Sequence, residues 1–69
     1  MQDLNKLKQE TLELIEYQRV YTLEEAEGFV KPLGIDISRE SLNFYFDEDY
    51  RTYVVRGVYI QNLVRSFKP

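Results

Sequence analysis

The sequence predicts a small α+β domain spanning residues 1–69, with elements in the order α-α-β-β-α: a helical hairpin, then a β-hairpin, then a short C-terminal helix. Three observations carry this. Residues 3–18 place Leu4, Leu7, Thr11, Leu14 and Ile15 at three- and four-residue spacing. Thr22-Leu23-Glu24-Glu25 has the form of a capping box at the start of a second helix. Residues 39–57 are dense in aromatic and β-branched side chains and alternate around an acidic turn.

The first helix shows its apolar stripe on one side, widened by Leu12. Lys6, Lys8, Glu10, Glu13 and Glu16 take much of the rest. That polar side is read as a solvated face, with a partner-binding or dimerising helix as the sharper reading. Arg19-Val20-Tyr21 is expected to be the turn between the two helices.

For the second helix, the Thr22 hydroxyl is expected to accept from the Glu25 amide while the Glu25 carboxylate reaches back to the Thr22 amide. Tyr21 would pack on Ala26. Leu23, Ala26, Val30 and Leu33 line one face, with Phe29 beside it. Gly28 would permit close approach of the first helix. Pro32 and Gly34 end the element, which places it at 22–32.

Ile35-Asp36-Ile37-Ser38 is a connector. In the hairpin that follows, Leu42, Phe44 and Phe46 point one way, and Asn43 and Tyr45 the other. Asp47-Glu48-Asp49-Tyr50 makes the turn, so that Phe46 pairs with Arg51, Phe44 with Tyr53 and Leu42 with Val55. The helices would cover that face. Tyr45, Thr52, Val54 and Arg56 would lie on the opposite face. A rival reading makes Ser38 an N-cap and 39–46 a helix with Leu42, Tyr45 and Phe46 inward. Gly57 then interrupts the apolar run, and residues 59–67 suit a final helix with Tyr59, Ile60, Leu63, Val64 and Phe67 near one stripe.

Composition limits the chemistry. The chain has no His, no Cys and no Trp. Disulfides, thiolate or imidazole metal sites and histidine-activated nucleophiles therefore have no residues to build them, and no cofactor is expected. Ser38 and Ser41 lack an activating base, and no glycine-rich run precedes a lysine. Asp47, Glu48 and Asp49 form a tight acidic cluster without the ligand spacing of an EF-hand loop, so they read as a solvated turn. An enzyme is not expected. The N-terminal Met1-Gln2-Asp3 is not basic, and no apolar run reaches the roughly 20 residues of a membrane span. A cytoplasmic location, away from membranes, is the default.

The net charge of −3 is unevenly spread. Residues 1–30 carry seven acids against Lys6, Lys8 and Arg19, whereas residues 31–69 carry six bases against five acids. This weakens any case for non-specific nucleic-acid binding, which rests on many contacts to phosphates.

The sequence is instead rich in aromatics, with six Tyr and four Phe. Tyr45, Val54 and Arg56, with Tyr50 at the turn, would make a mixed aromatic and cationic surface. Tyr and Arg are the side chains enriched at binding hot spots. The sequence therefore reads as a non-catalytic interaction or regulatory protein that binds a protein partner through these four residues, with a homodimer as a further expectation for a chain thin in core.

A DNA-binding alternative starts from Thr22-Leu23-Glu24-Glu25-Ala26. This stretch resembles the start of the first helix in excisionase-type winged-helix domains. The resemblance covers these five residues. It implies a recognition helix from Ser38 to Phe46 and a wing over 47–58. Arg39 and Asn43 would then read bases, and Arg51 or Arg56 would contact phosphate or enter the minor groove.

Overall fold

The computed structural model describes residues 3–68. Helix α1 runs Leu4–Leu14. The Asp3 carboxylate caps it, accepting from the amides of Asn5 at 3.0 Å and Lys6 at 3.3 Å. The helix stops four residues short of the expected end, because the following backbone groups are taken by tertiary partners. The Glu16 amide donates to the Tyr21 hydroxyl at 2.8 Å, and the Ile15 carbonyl accepts from the Gln61 side chain at 2.7 Å. Ile15 is already extended, with φ −89° and ψ 120°. Early termination also turns Leu14 out: it is 68% exposed and has left the inward stripe expected of it.

Residues 19–22 are not a simple inter-helix turn. Val20–Thr22 form a strand, β1. Thr22 is also the N-cap of α2, Leu23–Val30, and both reciprocal bonds of the capping box are formed with Glu25. The expected tail of this helix is instead a 3-10 turn, Lys31–Leu33, with Pro32 inside it. Gly34, at φ 82°, closes the end in the left-handed conformation, and the Ile35 amide returns to the Val30 carbonyl at 3.2 Å. Gly28 does not serve helix approach, since nothing lies within 4 Å of where its Cβ would be.

The β-hairpin forms, with corrected limits and register. Strand β2 is Tyr45–Asp47 and β3 is Thr52–Arg56. Tyr45 pairs with Val54, Phe46 with Tyr53 and Asp47 with Thr52. The register is thus two residues away from the expected one, because Asp47 belongs to the strand and not to the turn. Its carboxylate accepts from the amides of Asp49 at 2.8 Å and Tyr50 at 3.2 Å, which folds residues 48–51 over it. Arg51 completes the turn at φ 55°. A shift of two residues keeps every side chain on its face but moves each along the strand. Phe46 therefore lies at the turn end opposite Tyr53, 55% exposed and beyond the cover expected of the helices. Leu42 and Phe44, which precede the strand, are half-buried against the core. Residues 39–43 are turns and bends, so the segment from Ser38 to Phe46 is not a helix.

β1 completes the sheet by pairing antiparallel with β3, Val20 with Arg56, Tyr21 with Val55 and Thr22 with Val54. The strand order is β1-β3-β2. Side-chain alternation puts Tyr21, Phe46, Tyr53 and Val55 on one face, and Val20, Thr22, Tyr45, Val54 and Arg56 on the other.

Helix α3, Gly57–Ser66, follows β3 without a connecting residue. Such an abrupt change of direction brings the backbone of Gly57 against the α1–β1 loop. A Cβ at this position would collide with the carbonyl oxygen of Glu16 and meet Ile15 Cγ2 at 3.1 Å. The first two amides of α3 are satisfied by that same loop: Gly57 donates to the Arg19 carbonyl at 2.7 Å and Val58 to the Tyr17 carbonyl at 3.0 Å. Its far end is held by α1, where Lys8 Nζ donates to the carbonyls of Arg65 at 3.0 Å and Phe67 at 2.7 Å. The core gathers Ile15, Tyr21, Ala26, Val30, Leu33, Val55, Ile60 and Val64 between the Tyr21–Val55 face and the three helices. The Tyr21 and Phe29 rings meet edge to face at 5.2 Å.

Candidate partner-binding groove

The β1–β3 pairing places Val20 beside Arg56, and the β3–β2 pairing places Tyr45 on the same face of the sheet. The loop between α1 and β1 is pinned to the first turn of α3 by the Gly57 and Val58 amides. These constraints enclose a concavity of about 570 Å³. Its sheet side consists of Val20, Tyr45 and Arg56; the loop supplies Tyr17 and Gln18, and α3 supplies Val58 and Tyr59. Three tyrosines from three separate segments thus line one concavity together with Arg56.

The charge in this groove is specific. Arg19 lies close in sequence, but its guanidinium is bound to the Glu16 carboxylate at 3.2 Å and sits 5.4 Å from the Tyr21 ring centroid. The hydrogen bond to Glu16, and then the proximity of Tyr21, raise the pKa of Arg19 above its ordinary value. Arg56 has no such commitment: among the described residues it makes no ion pair and no side-chain hydrogen bond, and it is exposed. Among the described residues, no carboxylate lines the groove.

Of the four residues the sequence assigns to partner binding, the structure brings Tyr45 and Arg56 together at this groove. Tyr45 is 44% exposed. Tyr50 is exposed in the β2–β3 turn and does not line the concavity. Val54 shares the face but is fully buried between Thr22 and Tyr45 in the strand ladder, so it offers no surface to a partner. Tyr17, Gln18, Val20, Val58 and Tyr59 were not legible as neighbours of Arg56. Tyr17 had a partial signal, being an aromatic just past an amphipathic helix, but its place depends on the long-range bond from Val58.

Two residues of the DNA-binding alternative, Arg39 and Arg56, lie on opposite faces of the sheet. Arg39 stands over the Tyr53 ring at 5.3 Å, on the sheet face opposite to Arg56. Tyr53 in turn meets Phe46 edge to face at 5.6 Å. Asn43 is exposed in the bend before β2, and Arg51 is in the hairpin turn. The acidic trio 47–49 is organised by the Asp47 carboxylate bonding to its own turn, and among the described residues no three carboxylates gather as a metal site. Among the described residues, no helix is long and apolar enough to cross a membrane.

Comparisons with known protein families, with curated proteins and with solved structures find no match to this chain.

Proposed function

We propose that this protein is a non-catalytic interaction module that binds a protein partner through the Tyr17, Tyr45, Arg56 and Tyr59 groove. The observation that carries the reading is the convergence of the exposed Tyr17 and Tyr45, the half-buried Tyr59 and an uncommitted guanidinium on one concavity held by three elements. Tyr brings large contact area with few rotamers to lose, and Arg brings several fixed donors, so such clusters give binding energy at small ordering cost. The groove walls belong to a strand ladder and a helix start whose amides are already satisfied. The surface is therefore pre-organised, which limits what association must spend on ordering.

The test uses a photo-crosslinking amino acid placed singly at Tyr17, Tyr45 or Phe46 in the source cells. A partner joined from the first two positions but not from Phe46, which is equally exposed on the opposite face, is the expected result. The identified partner, purified, should then bind the wild-type chain and lose about tenfold or more in affinity with Tyr45→Ala or Arg56→Ala. Both variants should keep the wild-type circular dichroism spectrum. Equal crosslinking from Phe46, or unchanged affinity in both folded variants, would overturn the proposal.

A further inference from the structure

The charged residue that lines the groove is opposite in sign to the net charge of the chain. The chain carries a net charge of −3, and its first thirty residues hold seven acids. Among the described residues that line the groove, Arg56 alone carries a formal charge. The other cation nearby in sequence, Arg19, is paired with Glu16 at 3.2 Å. Unlike Arg39, which is stacked on Tyr53, Arg56 has neither a carboxylate nor a ring among the described contacts.

An occupant must match both features. A long polyanion such as nucleic acid gains affinity by neutralising many phosphates, and one lining cation on a chain of net negative charge does not supply that. A short segment with one or two carboxylates can pair with the guanidinium and needs no further cations. Arg–carboxylate pairing is geometrically suited to this because the planar fork can hold both oxygens. The tyrosines that line the same groove offer contact to an apolar side chain next to the acid.

We infer that the groove receives a short acidic segment of a partner protein, with a carboxylate on the Arg56 guanidinium and a neighbouring apolar side chain against Tyr17 and Tyr45. This rests on the interaction reading above and specifies the chemistry of its partner.

A library of capped hexapeptides of random composition, screened on the full-length chain and in parallel on Arg56→Gln, tests it. Selected peptides should be enriched in Asp and Glu over Asn, Gln and Lys, and the enrichment should vanish with Arg56→Gln. For a selected peptide, replacing the acid with its amide should weaken binding about tenfold, the usual scale for a hydrogen bond to a charged group. Added salt should weaken it further. In spectra of isotope-labelled protein, the selected peptide should shift the amides of Val20, Tyr45, Arg56 and Val58. A selection without acidic enrichment, the same enrichment on Arg56→Gln, or no selection above that variant overturns the inference. The two proposals fail separately. A partner crosslinked at Tyr45 whose acids can be changed to amides without loss leaves the interaction reading standing and removes the acidic segment. No crosslink at Tyr17 or Tyr45 removes the interaction reading itself.

Discussion

The side-chain amide of Gln61 donates to the main-chain carbonyl of Ile15 at 2.7 Å, in the interior and across 46 positions of sequence. Ile15 is the C-cap of α1, where a helix leaves carbonyls without intrahelical partners. Both residues are buried, so water cannot replace the bond. One polar side chain of α3 thereby sets where α1 ends. The same α1–β1 loop then supplies Tyr17 and Gln18 to the groove.

Replacing Gln61 with Leu keeps a similar volume and leaves the Ile15 carbonyl unsatisfied. The expected loss is about 1–3 kcal/mol. A urea titration should show a lower midpoint with an unchanged slope. An unchanged midpoint would mean that the carbonyl finds another donor and that Gln61 does not fix the end of α1.

The two glycines at 28 and 57 should respond with opposite sign. Gly57→Ala drives a methyl group into the Glu16 carbonyl, and the loop or the start of α3 must move, at a cost of roughly 1–3 kcal/mol or more. Gly28→Ala meets nothing within 4 Å inside a helix and should raise stability by about 0.5–1 kcal/mol. Thermal unfolding of the two variants side by side checks both.

Asp47→Ala removes the acceptor of the Asp49 and Tyr50 amides. Destabilisation of about 1 kcal/mol is expected. Amide exchange should speed up first in the β2–β3 turn, while the β1–β3 pairs stay protected. Uniform acceleration over the whole sheet would show that the turn and the sheet open together.

Val54 and Tyr45 face each other across the β2–β3 ladder with different roles. Val54 is fully buried, and Val54→Ala should cost about 2 kcal/mol. Tyr45 is exposed, and Tyr45→Ala should change stability by no more than about 0.5 kcal/mol. Chemical denaturation of the pair separates a structural residue from one free to meet a partner. A large loss in Tyr45→Ala would place its ring in the fold's support and weaken its use as a binding side chain.

Much of the architecture was legible locally. The Thr22–Glu25 box, the stop at Pro32 and Gly34, and the stripe of Ile60 and Val64 act between neighbours a few positions apart, and each formed. The hairpin was legible in kind but not in register, because an acid at position 47 can belong to a turn or cap one, and only the Asp49 and Tyr50 amides decide. Strand β1 gave no usable signal. Three residues that also start a helix carry no periodicity, and Val20–Thr22 become a strand only because β3 lies alongside. The site divided in the same way. Tyr45 and Arg56 stood out as residue types, whereas the burial of Val54 and the arrival of Tyr17 and Tyr59 came with the pairing of distant segments.

The sequence by itself determined the α+β class, the capping box at Thr22 and the lack of histidine and cysteine side chains, since these follow from side-chain identity and short-range spacing. The tertiary structure alone decided where α1 stops, that a third strand exists, and which aromatic side chains surround Arg56. Those outcomes depend on backbone groups finding partners tens of residues away, such as Ile15 with Gln61 and Tyr17 with Val58, and no local pattern records which distant donor reaches an orphaned carbonyl.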